Sequence, residues 1–270
     1  MGEPKTIHTP HYTFIVDIRN NFSRDVWFSQ HLVVGDPKKP CLSLNISTVE
    51  SLSVIPNNKI DTAKLCNIEA LYNCVLEDDA EDLFSKYSFG KELLEWVIEY
   101  IKAEFKHVKF LELDDQSYIP CNRETNETLD LLTYSIAVNK KTWYELNFNA
   151  FINDKQLYEK YNKQVQAYSL ESTKSDNWDN FFLKNVTSMY ARDMILQNEG
   201  LYKNMYEESK TFPEFFRKLA NAVGKEEKCK FFKWWLQEFI SSNINISRRW
   251  TIKLKVDGGK SQRKSRRLRK

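Results

Sequence analysis

At 270 residues, with 41 % hydrophobic and 14 % aromatic side chains, the chain is long enough to bury a proper core, which excludes a polypeptide disordered throughout. No apolar run approaches the roughly 20 residues of a membrane-spanning helix, and "MGEPKTIHTPHYTF" lacks the charged-then-apolar layout of a signal peptide. The net charge of +3 is unevenly held: residues 258–270, "GGKSQRKSRRLRK", carry seven Lys and Arg and no acid, leaving residues 1–257 mildly acidic.

An intracellular protein, cytoplasmic or nuclear, is therefore expected. Cys41, Cys66, Cys74, Cys121 and Cys229 are odd in number and never form a C-x-x-C pair, which argues against a disulfide framework or zinc knuckle. The N-x-S/T triplets at Asn21, Asn45, Asn126, Asn185 and Asn245 have no secretory signal beside them and are no evidence of glycosylation.

In chain order, "HYTFIVDI" (11–18), "VWFSQHLVV" (26–34), "CLSLNISTV" (41–49) and "NIEALYNCVL" (67–76) are short, rich in β-branched and aromatic residues, and separated by turn-forming stretches. They predict an antiparallel meander. From Gly90 the apolar positions Leu94, Val97, Ile98, Ile101 and Phe105 recur at three- and four-residue steps, the spacing of an amphipathic helix. "HVKFLEL" (107–113) reads as a buried strand, so that strand, helix and strand form a β-α-β crossover with parallel neighbours. A second helix is expected over 127–138 and a strand over 142–152, "TWYELNFNAFI". After about residue 154 the pattern is helical: 155–170, 178–196, 212–223 and 226–242, with Thr211 before Phe212-Pro213 as a helix start. "SRRWTIKLKV" (247–256) alternates like one more strand before Gly258-Gly259.

The stretch "KYSFGKELLEWVIEY" (86–100) places Gly90 between a strand and a helix. A strand, a turn and a helix N-terminus together can hold an anion, because the first-turn N–H groups and the helix dipole favour negative charge. No G-x-G-x-x-G fingerprint or P-loop accompanies it, and Glu77, Asp78, Asp79, Glu81 and Asp82 crowd the connection. A plain helix start is the competing reading.

The order of elements from about residue 40 to 152 resembles the GNAT superfamily of acetyl-coenzyme A-dependent N-acetyltransferases. In that family the turn reads Gln/Arg-x-x-Gly-x-Gly/Ala before a helix with paired leucines, and its amides hold the coenzyme pyrophosphate. "SKYSFGKELL" sets Ser85 and Ser88 at two signature positions that depart from the pattern, Gly90 at the second glycine, and Leu93 and Leu94 at the leucines. The resemblance implies an α+β, GNAT-like mixed sheet followed by a helical region, with the cofactor-binding residues Ser88, Phe89, Gly90 and Lys91. "TWYELNF" is similar to the family element whose tyrosine protonates the departing thiolate, which implies Tyr144 as the catalytic acid, a chemically sensible role for a phenol. Glu69 is the candidate base. A tyrosine packed in the core with its hydroxyl satisfied is the alternative reading of Tyr144.

Other side chains say less. His8 and His11 stand three apart without the ligands that would complete a metal site; no metal is expected. "DDQS" (114–117) is either an acidic patch at the strand ends that attracts an amine or a loop cap. "FFKWWLQEF" (231–239) carries aromatics at helical spacing and reads as core.

The basic tail, Lys260, Arg263, Lys264, Arg266, Arg267, Arg269 and Lys270, cannot form a core. It suits non-specific nucleic acid, bound by counterion release, or nuclear import. It resembles the basic endings of large DNA virus proteins, which implies a virion as a third location. The expected organisation is a GNAT-like domain over 1–154, a helical subdomain over 155–246, an extra strand in 247–257 and a tail over 258–270. Two functions follow: an N-acyltransferase using acetyl-coenzyme A and an unknown amine or protein acceptor, or an inactive relative of that fold, a structural protein binding nucleic acid through its tail.

Overall fold

The structure, a computed structural model, describes residues 5–8, 10, 13–22, 28–36, 39–47, 62–68, 89–106, 108–115, 117–122, 127–186, 189–222, 232, 236 and 239–254. The N-terminal strands are β1 (Lys5–His8), β2 (Thr13–Phe22), β3 (Phe28–Asp36), β4 (Lys39–Ser47) and β5 (Thr62–Ile68). Each pairs antiparallel with the next, so the expected meander forms, with β1 as an addition to it. Its fifth strand covers 62–68, which takes in the first two residues of the strand expected over 67–76; the rest of that stretch, within residues 69–88, lies outside the described residues.

The crossover also forms. Helix α1 (Phe89–Glu104) leads to β6 (Phe110–Asp114), and β6 lies parallel to β5 from Thr62↔Phe110 to Leu65↔Leu113. Leu93, Leu94, Val97, Ile98 and Ile101 of α1 are buried, as is Phe105 just beyond it, while Glu95, Glu99 and Lys102 face solvent. The i,i+3 and i,i+4 pairs Lys102–Glu99 (2.8 Å) and Lys91–Glu95 (3.9 Å) line the wet side, where such pairs are worth a few tenths of a kcal/mol (~0.2–0.5) each.

The other edge of β6 is taken by β9 (Arg249–Lys253), antiparallel from Phe110↔Lys253 to Asp114↔Arg249. The large sheet therefore runs β1-β2-β3-β4-β5-β6-β9, and Phe151 adds an antiparallel bridge to Thr251. The helical region thus leaves the sheet near Phe151 and returns to it at β9. The molecule is α+β.

Between β6 and that region lie the hairpin β7 (Tyr118–Asn122) and β8 (Glu127–Asp130), then α2 (Leu131–Asn139) and α3 (Trp143–Phe148). The helix expected over 127–138 therefore gives its first four residues to a strand. Asp130 marks the change: its carboxylate accepts the N–H of Leu132 at 3.1 Å as an N-cap, and capping residues favour the extended conformation at their own position. At the far end Lys140 turns left-handed, φ 64°, and Arg217 donates to the carbonyl of Val138 at 3.0 Å, satisfying a last-turn acceptor.

The strand expected over 142–152 is overturned: residues 143–148 are helix. Thr142 accepts the N–H of Glu145 at 3.2 Å, while Glu145 accepts the N–H of Thr142 at 2.8 Å. This reciprocal capping box outweighs the β propensity of Trp143 and Tyr144. Asn149, φ 51°, ends the helix.

Helices α4 (Lys155–Tyr168), α5 (Trp178–Asn185), α6 (Met189–Gln197), α7 (Glu199–Glu207) and α8 (Phe212–Ala222) follow. The single helix expected over 178–196 is two, because α5 stops at Val186, whose ψ of 86° leaves the helical region. Thr211 starts α8 as expected, accepting the N–H of Glu214 at 3.3 Å. Aromatic rings fill the centre: Phe181 stacks on Tyr206 at 4.6 Å and Phe212 meets Phe239 at 4.9 Å. Phe232, Leu236 and Phe239 are helical and buried, so those described residues of the 231–239 run are core. One continuous apolar cluster joins α1, β6, α2, β9 and the later helices.

Thr142 is buried, so losing its hydroxyl strands the N–H of Glu145. Thr142→Val is expected to lower unfolding stability by about 1–2 kcal/mol, read from urea denaturation midpoints at constant slope. An unchanged midpoint would show that the box does not hold α3.

Candidate functional site

Strands β5 and β6 part after Leu65↔Leu113. Among the described residues, β5 continues to Ile68 against β4 (Ile68↔Leu42), whereas β6 continues to Asp114 against β9. The carboxyl ends of parallel strands, where neighbours part, are where α/β folds place ligands. The next residue, Asp115, extends the outer ladder by donating its N–H to the carbonyl of Arg248 at 2.6 Å. Its side chain is 0 % exposed.

The base of the β7–β8 hairpin is folded against this carboxylate. The Ser117 N–H donates to Asp115 Oδ1 at 3.1 Å, and the Ser117 hydroxyl bonds the same oxygen. Asp115 Oδ2, by contrast, is buried without a hydrogen-bond partner among the described residues. Arg248 reaches across, donating to the Asp115 carbonyl and to Asp130 Oδ2, each at 2.8 Å. One arginine thus ties the β6 end to the residue that caps α2.

From the other side comes Tyr144, in the first turn of α3 and only 4 % exposed. The Ser117 side chain lies near its hydroxyl and opposes part of the rise in its pKa. Burial first, then the neighbouring Asp115 carboxylate, push the Tyr144 phenol well above the usual tyrosine range, so it keeps its proton at physiological pH. Burial is also the main influence on Asp115, whose carboxyl is raised to about 6. The Ser117 hydrogen bonds oppose that rise, Asp130 adds to it, and Arg248 lowers it.

The expected site residues are partly brought together. A Cβ built on Gly90 would stand 3.9 Å from the Trp143 ring, and Trp143 meets the Tyr144 ring edge-on at 5.0 Å. The α1 N-terminus therefore abuts the turn that carries Tyr144. Gly90 lies inside the first turn rather than before it, since α1 begins at Phe89; the 3.9 Å spacing is an ordinary van der Waals contact and does not itself demand glycine. Lys91 points its amine toward Glu95. Ser88, Glu69 and the tail residues Lys260, Arg263, Lys264, Arg266, Arg267, Arg269 and Lys270 lie outside the described residues.

Among the described residues, no group of three or more His, Cys, Asp and Glu could hold a metal ion, and no helix is long and apolar enough to cross a membrane. No family model, curated protein or solved structure matches the chain.

In the chain "DDQS" stands out as a unit, without a sign of which aspartate matters. Alternation along β6 points Leu111, Leu113 and Asp115 to one face, and that signal was available. Ser117, Asp130 and Arg248 carried no such mark, because their roles come from the return of β9.

The raised Asp115 pKa has a definite consequence. The unfolded chain releases this proton near its ordinary 3.8 and the folded chain near 6, so the stability it contributes is full below about pH 4 and lost as pH rises through 6. Above that, the charged carboxylate is unfavourable by about 3 kcal/mol. Asp115→Asn is therefore expected to raise stability at pH 8 by about 1–3 kcal/mol, with the gain vanishing toward pH 4. An equal loss at both pH values would contradict a buried, strained charge.

Proposed function

We propose that the chain is an N-acyltransferase of the GNAT-like kind, passing an acetyl group from acetyl-coenzyme A to an amine at the carboxyl end of β6. The observation that carries this reading is Tyr144: a protonated phenol, held by a box-capped helix beside the parting ends of two parallel strands. Such a group protonates a leaving thiolate without having to ionise by itself. In the reaction the neutral amine nitrogen attacks the thioester carbonyl and forms the C–N bond. The C–S bond then breaks, and the sulfur takes its proton from the Tyr144 hydroxyl. The proton released by nitrogen needs a base, for which Glu69 is the candidate from sequence.

The coenzyme supplies the activated acetyl group. Its pyrophosphate suits the first turn of α1, where the N–H groups of Gly90 and Lys91 lie among those for which a helix has no internal acceptor, and the 16-residue length of α1 gives that end a full dipole. Gly90 leaves the backbone there uncovered by a side chain of its own.

The second reading, an inactive relative that binds nucleic acid, rests on the seven charges of residues 258–270. The two separate in one titration. Acetyl-coenzyme A at 100 times its dissociation constant is expected to add about 2.7 kcal/mol of stability, seen as a rise in melting temperature. Tyr144→Phe should keep that rise while lowering the acetyl-transfer rate 10²-fold or more, the usual range for a lost general acid of about 10²–10⁴. No rise at millimolar coenzyme, together with salt-sensitive retention on DNA, would favour the second reading.

A further inference from the structure

The β7–β8 hairpin is a two-stranded sheet of its own, outside the seven-stranded ladder, and two strands by themselves are marginal in water. Strand β8 is seated from elsewhere: Leu129 is buried in the core, and Arg248 holds Asp130. Strand β7 is rooted differently. Its root, Ser117, gives both its N–H and its hydroxyl to Asp115 Oδ1. The Ser117 carbonyl accepts the N–H of Leu131, the first residue of α2, at 3.0 Å. The root therefore closes on a fully buried carboxylate whose second oxygen has no partner among the described residues.

We propose that Ser117 and the start of β7 form a pH-sensitive latch, closed over the Asp115 carboxyl while it is neutral and released by its ionisation. Two effects compete in the closed form. The two donors on Oδ1 favour the carboxylate, whereas burial with Oδ2 unpartnered favours the acid. Burial is the larger, and the carboxyl is raised to about 6. Lifting Ser117 admits water to both oxygens, which returns the group toward its ordinary 3.8. The open form then binds the proton more weakly than the closed one, so closure is favoured wherever the proton is bound. The latch is fully favoured below about pH 4 and loosens as pH rises through 6. Well above that, the ratio of closed to open is lower by about 10²-fold, which is the separation of the two values read as a ratio.

The groups that face Asp115 leave it as the one that drives the change. Asp130, from β8, and Arg248, from just before β9, act on it but are paired with each other. Arg248 bonds the Asp115 backbone carbonyl rather than the carboxylate, so the strand end stays in place when the root lifts. From α3 Tyr144 faces it and keeps its proton, while the neighbouring Glu145 is engaged with Thr142 and Tyr161. On β9 the residue of the same face, opposite Leu113, is Trp250, which carries no charge in either form of the latch.

This inference does not depend on the acyl-transfer reading, and its test uses the full chain without coenzyme. Amide exchange with D2O is followed residue by residue by NMR from pH 4 to 8, each rate divided by the intrinsic rate at that pH. The Ser117 and Leu131 amides are expected to exchange faster than those of Leu111 and Leu113 in the large sheet, and without dependence on low urea, the mark of an opening smaller than global unfolding. Their protection should fall about tenfold or more between pH 4 and 8, with its midpoint where the Asp115 13Cγ resonance itself titrates. Asp115→Asn should remove the fall. Protection that stays flat or rises with pH would overturn the latch, as would exchange no faster than that of Leu111 and Leu113, or a fall retained in Asp115→Asn. Should that variant fail to fold, the midpoint decides, because a fall centred away from the Asp115 titration overturns the latch equally.

Discussion

The pairing of β6 with β9 is the constraint on which the rest of the structure depends. β6 is held on one edge by parallel β5 and on the other by β9, which arrives after the whole helical region. Arg248 and Asp115 meet although 133 residues separate them. That long-range closure binds the helices to the sheet as a single core, and it shields the end of β6. Without β9 the side chain of Asp115 would sit at a sheet edge in contact with water, and neither its burial nor its raised pKa would follow.

A buried carboxylate with an unpartnered oxygen is unfavourable, because such a group loses its hydration without recovering all its hydrogen bonds. Folding supplies partial compensation. Ser117 presents two donors to Oδ1, and Arg248 anchors the strand end without pairing the carboxylate itself. Among the described residues Trp250 Nε1, on β9, is the other buried polar atom without a partner, whereas the buried face of α1 and the cluster around Phe181, Tyr206 and Phe215 are built from apolar and aromatic side chains. A scaffold of that kind can tolerate such groups.

Elements governed by local periodicity were legible in the chain. The face of α1, the alternation in β6 and β9 and the Thr211 cap each follow from contacts within a few residues. The meander was legible too, through its turn chemistry, although β5 lies nearer the N-terminus than expected. What escaped reading had competing local signals. At 142–148 aromatic residues of high strand propensity outweighed, on paper, the Thr142…Glu145 box that makes the segment helical. At 127–130 the residues before the Asp130 cap pair with β7 instead of joining the helix. Tyr144 stands out by resemblance, but its place beside Asp115 and the proximity of Gly90 through Trp143 depend on where α3 docks. Tertiary contacts alone determine that docking.

The central claim is that a charged aspartate is buried at the end of β6 beside a protonated tyrosine. The most direct measurement is a pH titration of aspartate 13Cγ resonances in the folded chain. One carboxyl, absent from the spectrum of Asp115→Asn, should titrate near pH 6, well above the free aspartate value of about 3.9. If the Asp115 resonance instead titrates at that free value, the carboxylate is hydrated, and the site described at the end of β6 does not exist.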